Sequence, residues 1–162
     1  MTGRAVTYES RTIGVAIARP PGEVYAFAAA PENLPRWASG LGTGGARDGD
    51  VWVSRMDVGQ VRIRFAPRND LGVLDHEVTL PDGTAVTNPM RVVPNGEGSE
   101  VSFTLFRLPG VTAEAFQTDA ATVQGDLEVL KGLLEGEEAR RLEGEPGRGA
   151  RRRDGGRGQA RP

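Results

Sequence analysis

Alternating apolar and polar residues predict β-strands through most of the chain. The first strand is predicted over 12–18, and the segment 43–47, within a glycine-rich stretch, is a weaker candidate. Turn sequences such as DVGQ, PDG and PNGEG separate the remaining candidates, a spacing typical of an antiparallel meander. These candidates cover 51–56, 61–65, 72–80, 85–93 and 101–108. Pro89 lies inside one of them and indicates an edge position or a bulge, because proline donates no ladder hydrogen bond.

Helical patterns occupy two other parts of the chain. Two short helices are predicted after the first strand, one that begins at Pro21 and one over 31–37. A long helix is predicted from Ala113 to about Glu135, with Gly136 as its C-cap, because apolar residues recur every three or four positions. The residues of this repeat are Phe116, Ala120, Val123, Leu127, Leu130 and Leu134. Such a helix is about 35 Å long, enough to cross a sheet.

Composition narrows the classes of function. The chain has 162 residues, enough for one domain, and it contains no cysteine, one histidine and one lysine. Disulfides, thiolate nucleophiles and Cys-ligated metals are therefore excluded, and a single histidine excludes a His-rich metal site. The glycines of 40–45 match a dinucleotide-binding motif, but they precede a strand instead of following one, so we expect no cofactor. The lack of cysteine and the single histidine lead us to expect no metal ion either. The chain shows no signal-peptide pattern and no apolar run of about 18 residues, so we expect a cytoplasmic protein without a membrane span.

The end of the chain differs in composition from the rest. Residues 144–162 hold 6 Arg, 6 Gly, 2 Pro and 2 acidic residues, whereas residues 1–143 carry 14 basic against 20 acidic residues. Such a segment buries too little apolar surface to offset its ordering entropy. We therefore predict a flexible start over 1–9, a folded domain over 10–136 and a disordered Arg/Gly-rich tail over 137–162. Asp154 interrupts the arginine run and no aromatic residue is interleaved, and both features argue against nucleic acid as a partner.

The alternation within the strands also predicts the lining of an internal site. A long amphipathic helix packed on a curved sheet can leave a cavity between the two layers. The side chains predicted to face it are mainly apolar: Val61, Ile63, Phe65, Leu74, Val78, Val86 and Met90. His76 and Asn88 share this face, and Trp37 is placed to cap the mouth of the cavity. A neutral imidazole there is either an acid, a base or a ligand contact, or an ordinary core histidine.

Two parts of the sequence resemble a known superfamily. Residues 12–37, TIGVAIARPPGEVYAFAAAPENLPRW, resemble the opening of the START/Bet v 1-like superfamily, also called SRPBCC or polyketide cyclase/dehydrase-like. The stretches FAPRNDLGVLDHEVTLPDG and MRVVPNGEGSEVSFTLFRLPG resemble one bacterial subgroup of it. The resemblance covers about 10–135. It implies an α+β helix-grip fold, in which a seven-stranded antiparallel sheet wraps around the C-terminal helix, with the segment 43–47 as the seventh strand.

Three functions remain open at this point. The first is the binding of a small hydrophobic or aromatic metabolite, or a lipid, in the cavity, with His76 and Asn88 orienting it. The second is an enzyme of the polyketide cyclase or dehydrase type in which His76 moves a proton. The third is a protein or RNA interaction module that uses the basic tail.

Overall fold

The structure, a computed structural model, describes residues 4–144, except for the side chains of 137–139 and 141–144. The described strands are β1 (Ser10–Ile17), β2 (Thr43–Asp48), β3 (Val51–Met56), β4 (Gly59–Phe65), β5 (His76–Thr79), β6 (Ala85–Asn88), β7 (Met90–Asn95) and β8 (Gly98–Phe106). The helices are α1 (Pro21–Ala28), α2 (Leu34–Trp37) and α3 (Ala113–Gly144), with single 3-10 turns at Pro31–Asn33 and Ser39–Leu41. The predicted α+β class, with two short helices after the first strand and one long C-terminal helix, is confirmed.

All strand pairs are antiparallel and form two sheets. One has the order β1-β8-β7 and the other the order β2-β3-β4-β5-β6. β6 and β7 are the two halves of the single strand predicted over 85–93, separated at Pro89. The bridge between Val73 and Arg91 keeps the register of the β5–β6 pair, in which His76 faces Asn88. The seven predicted strands are therefore present as eight, and the sheet of the helix-grip fold is divided at one proline.

The Asp75 side chain supplies a hydrogen-bond acceptor for the backbone beside Pro89. The Met90 N–H donates to the Asp75 carboxylate at 2.9 Å, and the Leu74 N–H donates to the Met90 carbonyl at 2.9 Å. Arg91 forms an ion pair with the same carboxylate. A side-chain oxygen thus takes the place of a ladder carbonyl where the two halves of the strand separate, and it fixes the first two residues of β7.

The glycine-rich strand β2 is present, as predicted. Gly45 has a φ of +142°, and a Cβ on it would collide with the indole ring of Trp52 on β3. Gly42 has a φ of +91° and lies against the backbone of Arg55. The glycines therefore allow β2 to cross closely over its neighbour, a use of glycine that does not exclude strand structure.

Helix α3 packs mainly against β1. The predicted apolar repeat faces the sheet: Phe116, Ala120, Leu127, Leu130 and Leu134 are buried and Val123 is partly buried. Lys131 donates to the Ala16 carbonyl at 2.7 Å, and Glu135 accepts from the Ala18 N–H at 2.8 Å. These two side chains hold the helix against the end of β1.

None of the described helices is long and apolar enough to cross a membrane.

The predicted end of α3 at Gly136 is wrong, since the helix continues to Gly144. Gly136 is not among the described glycines with positive φ, so it has no C-cap conformation. The residues that follow it, EEARRLEG, are mostly strong helix formers, and one interior glycine costs only about 1 kcal/mol. The rest of the predicted tail, 145–162, lies outside the described residues.

We predict that Asp75→Ala lowers the free energy of unfolding by about 1–3 kcal/mol, because the Met90 N–H loses its acceptor. Partial burial raises the pKa of Asp75, but hydrogen bonds from Arg91 and Met90 outweigh it and hold the pKa below its usual value. The stabilisation is therefore present at neutral pH and is lost as the pH falls through the lowered pKa. Urea denaturation at pH 7 and at acid pH measures both effects. Glu77→Ala, at an exposed neighbouring position, is the control, and equal losses in both variants would contradict the prediction.

Candidate ligand-binding cavity

A cavity of about 180 Å³ lies between the sheet and helix α3. Three parts of the chain enclose it: the segment 37–41, strands β5, β6 and β8, and the N-terminal half of α3. The lining residues are Trp37, Ala38, Gly40, Leu41, His76, Asn88, Phe103, Leu105, Asp119, Thr122, Val123, Asp126 and Leu127. Its size is close to that of a cavity of about 150 Å³ that holds a benzene ring, and below the 300–1,000 Å³ usual for drug-sized ligands.

Asp126 fastens the segment 37–41 to helix α3. Its carboxylate accepts hydrogen bonds from the backbone N–H of Ser39 at 3.0 Å and of Gly40 at 3.1 Å, and from the Ser39 hydroxyl. The carboxylate therefore satisfies the free N–H groups at the start of the 3-10 turn from a different helix. Gly40 faces the helix closely, since a Cβ there would lie 3.4 Å from the Thr122 methyl group. This contact closes one side of the cavity.

His76 is buried, with 3% of its surface exposed, and lines the cavity. Its Nδ1 lies 3.1 Å from the carbonyl oxygen of Leu74. A carbonyl only accepts hydrogen bonds, so this contact requires the proton on Nδ1. In the neutral ring, Nε2 then carries the lone pair, and it makes no hydrogen bond to another described residue. The fold therefore presents His76 as a hydrogen-bond acceptor.

Two aromatic rings hold the imidazole. Phe65, directly opposite His76 on β4, has its ring centroid 5.1 Å away, and Phe103 on β8 has its centroid 5.9 Å away. Burial among these groups lowers the pKa of His76, and the Leu74 carbonyl and the Asp75 carboxylate oppose that effect only in part. The imidazole is therefore neutral at physiological pH. Asp75 does not form a dyad with it, because that carboxylate binds Arg91 and Met90.

Two further polar groups lie beside the cavity without partners in the described part of the chain. Asn88 faces His76 across the β5–β6 pair, and its side-chain amide makes no hydrogen bond to a described residue. The indole Nε1 of Trp37 is buried and likewise lacks a hydrogen-bond partner. A buried donor without a partner costs about 1–3 kcal/mol, a cost that a ligand or water can remove.

The predicted site residues are distributed between this cavity and the core. Three of them lie together at the cavity: Trp37, His76 and Asn88. The alternation of the strands indicated this position for the two polar residues, and the helical segment 31–37 indicated it for the tryptophan. Five of the apolar residues are instead fully packed into the core and do not line the cavity: Val61, Ile63, Leu74, Val78 and Met90. Phe65 reaches the site only through the His76 ring, and Val86 lies on an adjoining groove beside β6.

Other lining residues lie outside the set named from the sequence. Val123 and Leu127 belong to the predicted apolar repeat of α3, so their direction was available from the pattern. Phe103 and Leu105 lie on β8, where both faces carry apolar residues and the alternation leaves the inward face ambiguous. Asp119 and Asp126 are acidic residues on a helix, and no local pattern distinguishes them from solvated ones. The described residues contain no cluster of three or more His, Asp or Glu placed to hold a metal ion.

The fold and the cavity define a helix-grip protein with a small, mostly apolar internal site. The chain belongs to the family described as polyketide cyclase / dehydrase and lipid transport, whose model matches residues 6–135. The resemblance to the START/Bet v 1-like superfamily is thereby confirmed. No match is found among curated proteins.

Solved structures with the same fold share little sequence with this chain. The protein XoxI from Bacillus cereus has a TM-score of 0.62 and 16% identity, over 82% of this chain and 99% of that one. Ara h 8.0201 has a TM-score of 0.59 and 14% identity, over 79% and 98%. DynU16, described as a putative protein in the dynemicin biosynthetic locus, has a TM-score of 0.61 and 14% identity, over 79% of this chain and 48% of its own. These likenesses establish the fold alone.

We predict that Asp126→Ala loosens the segment 37–41 and lowers the free energy of unfolding by about 0.5–2 kcal/mol, the range for loss of a capping side chain. Amide hydrogen exchange at Ser39 and Gly40 is expected to accelerate, because both N–H groups lose their acceptor. Asp119→Ala, an exposed acidic residue on the same helix without a described partner, is the control. Unchanged exchange at Ser39 in the Asp126 variant would show that this carboxylate does not hold the segment.

Proposed function

We propose that this protein binds a small aromatic metabolite that carries a hydroxyl group, with the ring in the internal cavity and the hydroxyl directed to His76. The observation that carries the proposal is the neutral His76 at the cavity wall. Its Nδ1 proton is held by the Leu74 carbonyl, which leaves Nε2 to accept a hydrogen bond from a ligand. Apolar lining supplies affinity through buried area, and one or two polar contacts set the orientation.

The other polar groups complement such a ligand. The Asn88 amide both donates and accepts, and it lies beside His76 on the neighbouring strand. Phe103, Leu105 and Leu127 supply apolar contacts, and the volume of about 180 Å³ suits one ring. An anionic ligand is disfavoured, because no basic residue lines the described cavity while Asp119 and Asp126 lie at its helix side. The basic tail lies outside the described residues, so the interaction-module alternative has no observation in its support.

We predict a coupling between the ligand hydroxyl and His76. Phenol and toluene differ by one hydrogen-bonding group at equal size, so the ratio of their Kd values isolates the hydroxyl. Replacing the acceptor in His76→Phe is expected to change that ratio by about 2- to 12-fold, the worth of one hydrogen bond. Isothermal titration calorimetry measures the four affinities. Leu105→Met alters an apolar lining residue as a control, and a ratio that stays constant in His76→Phe would refute the role of the histidine.

The coupling is also expected to depend on pH in one direction. Burial lowers the pKa of His76, so Nε2 keeps its lone pair above the ordinary histidine value of about 6.5. Phenol affinity relative to toluene is therefore constant from about pH 6.5 to 8 and falls as the pH drops through the lowered pKa. The same titrations in His76→Phe should show no such loss. A hydroxyl preference that weakens as the pH rises from 6.5 to 8 would contradict the protonation state assigned here.

A second candidate is a proton-transfer enzyme of the cyclase or dehydrase type. A specific observation favours it: a neutral imidazole with an available Nε2, backed by a carbonyl that fixes the tautomer, is also the state of a general base. Such a base removes a proton from carbon between two carbonyl groups of a bound chain. If the protein has this activity, His76→Phe is expected to slow product formation from a linear poly-β-carbonyl thioester by about 100-fold or more, with binding retained. Mass spectrometry of the products tests it, and wild-type protein that binds the thioester without cyclising it would exclude catalysis.

A further inference from the structure

The backbone between β6 and β8 opens on the N-terminal side of Pro89, whereas β7 on its C-terminal side stays paired with β8. The Thr104 N–H donates to the Pro89 carbonyl at 2.9 Å, but Pro89 has no N–H to return a second bond. Beyond that point β6 pairs only with β5 and lies at the edge of the five-stranded sheet. The end of β8 keeps its pairing with β1 on the opposite edge, where Phe106 faces Ser10, and its edge toward β6 has no strand partner among the described residues. β6 and β8, which would pair if the β7–β8 register continued, therefore separate and leave a gap between them.

A groove of about 290 Å³ occupies this gap, and we call it the β6–β8 groove. Its lining residues are Tyr8, Ala85, Val86, Thr87, Asn88, Pro89, Leu105, Phe106 and Leu108. None of these side chains is charged. Tyr8 is 51% exposed and Phe106 is 39% exposed, so the groove presents aromatic surface to solvent. An apolar occupant would remove that surface from water.

The groove adjoins the internal cavity. Asn88 and Leu105 line both spaces, and they are the pair that the β7–β8 register would place opposite each other if pairing continued past Pro89. The two spaces therefore meet at these two side chains, one on each separating strand. A molecule whose ring lies beside His76 has its continuation directed past Asn88 and Leu105.

We propose that the β6–β8 groove holds the apolar chain of the ligand, so that the preferred ligand is a hydroxylated ring with an alkyl substituent. This inference rests on the proposed function and specifies its ligand class. An alkyl chain fits the groove because the lining is mostly apolar and uncharged and because the groove adjoins the ring site, with Asn88 and Leu105 lining both. The hydroxyl on the ring donates a hydrogen bond to His76, and the alkyl chain supplies most of the buried apolar area.

The test is calorimetric binding of phenol and its 4-n-alkyl derivatives from methyl to hexyl. Each buried methylene is expected to lower Kd by about three- to fourfold until the groove is filled. Val86→Trp fills the groove from a position that does not itself line the cavity, so phenol affinity should stay unchanged while the gain with chain length disappears. Val93→Trp, at an exposed strand valine outside the groove, is the matched control. Phe106→Ala removes groove lining without adding bulk, and it should reduce the gain per methylene.

The outcomes separate the two proposals. Phenol binding without any gain from the alkyl chain, or with the same gain in Val86→Trp, would overturn the groove assignment and leave the ring site intact. The groove would then belong to another occupant, such as a peptide strand paired to the open edge of β6. Failure of every member of the series to bind the wild-type protein would overturn the proposed function itself. A chain-dependent gain that is lost in Val86→Trp and kept in Val93→Trp supports both.

Discussion

The missing N–H of Pro89 is the constraint on which the site depends. A strand of nine residues, predicted over 85–93, would otherwise pair on both sides along its length and close the sheet over the helix. Proline returns no hydrogen bond to β8, so β6 follows β5 and β7 follows β8. Asp75 accepts hydrogen bonds from the Met90 N–H and from Arg91 directly after Pro89, and so fixes the start of β7. The break leaves Asn88 at an open edge beside His76.

The chemistry of His76 follows from the same region. Its Nδ1 contacts the carbonyl of Leu74, which is two residues away and part of the segment that Asp75 holds in place. Phe65 and Phe103 fix the ring from neighbouring strands, and their apolar surroundings keep it uncharged. On the opposite wall, the Asp126 carboxylate accepts hydrogen bonds from the backbone N–H groups of Ser39 and Gly40. That carboxylate is thereby occupied by backbone donors, whereas the imidazole remains available to a ligand.

Local patterns predicted the elements well and the lining of the cavity only in part. Alternation and helical periodicity placed seven strands and the long helix, because each depends on residues near in sequence. The alternation also placed His76 and Asn88 on one face, but it assigned Val61, Ile63 and Val78 to the cavity when they fill the core. A strand pattern reports which face is inward and not how closely the opposite layer packs. Pro89 indicated an irregularity in its strand from the sequence alone, but the contribution of Asp126 depends on Ser39 and Gly40, more than 80 positions away, which no local pattern contains.

The sizes of the two spaces bear on the choice between a binding protein and a cyclase. A cyclase must fold a flexible chain back on itself inside an enclosed site, so that its reacting carbons meet and water is excluded. The cavity beside His76, at about 180 Å³, accommodates a single ring and is not fully enclosed, and the larger space of about 290 Å³ is a groove with exposed Tyr8 and Phe106. A ligand that spans both must be extended through the gap between β6 and β8. An extended ligand keeps its distant carbons apart, and this geometry favours binding over cyclisation.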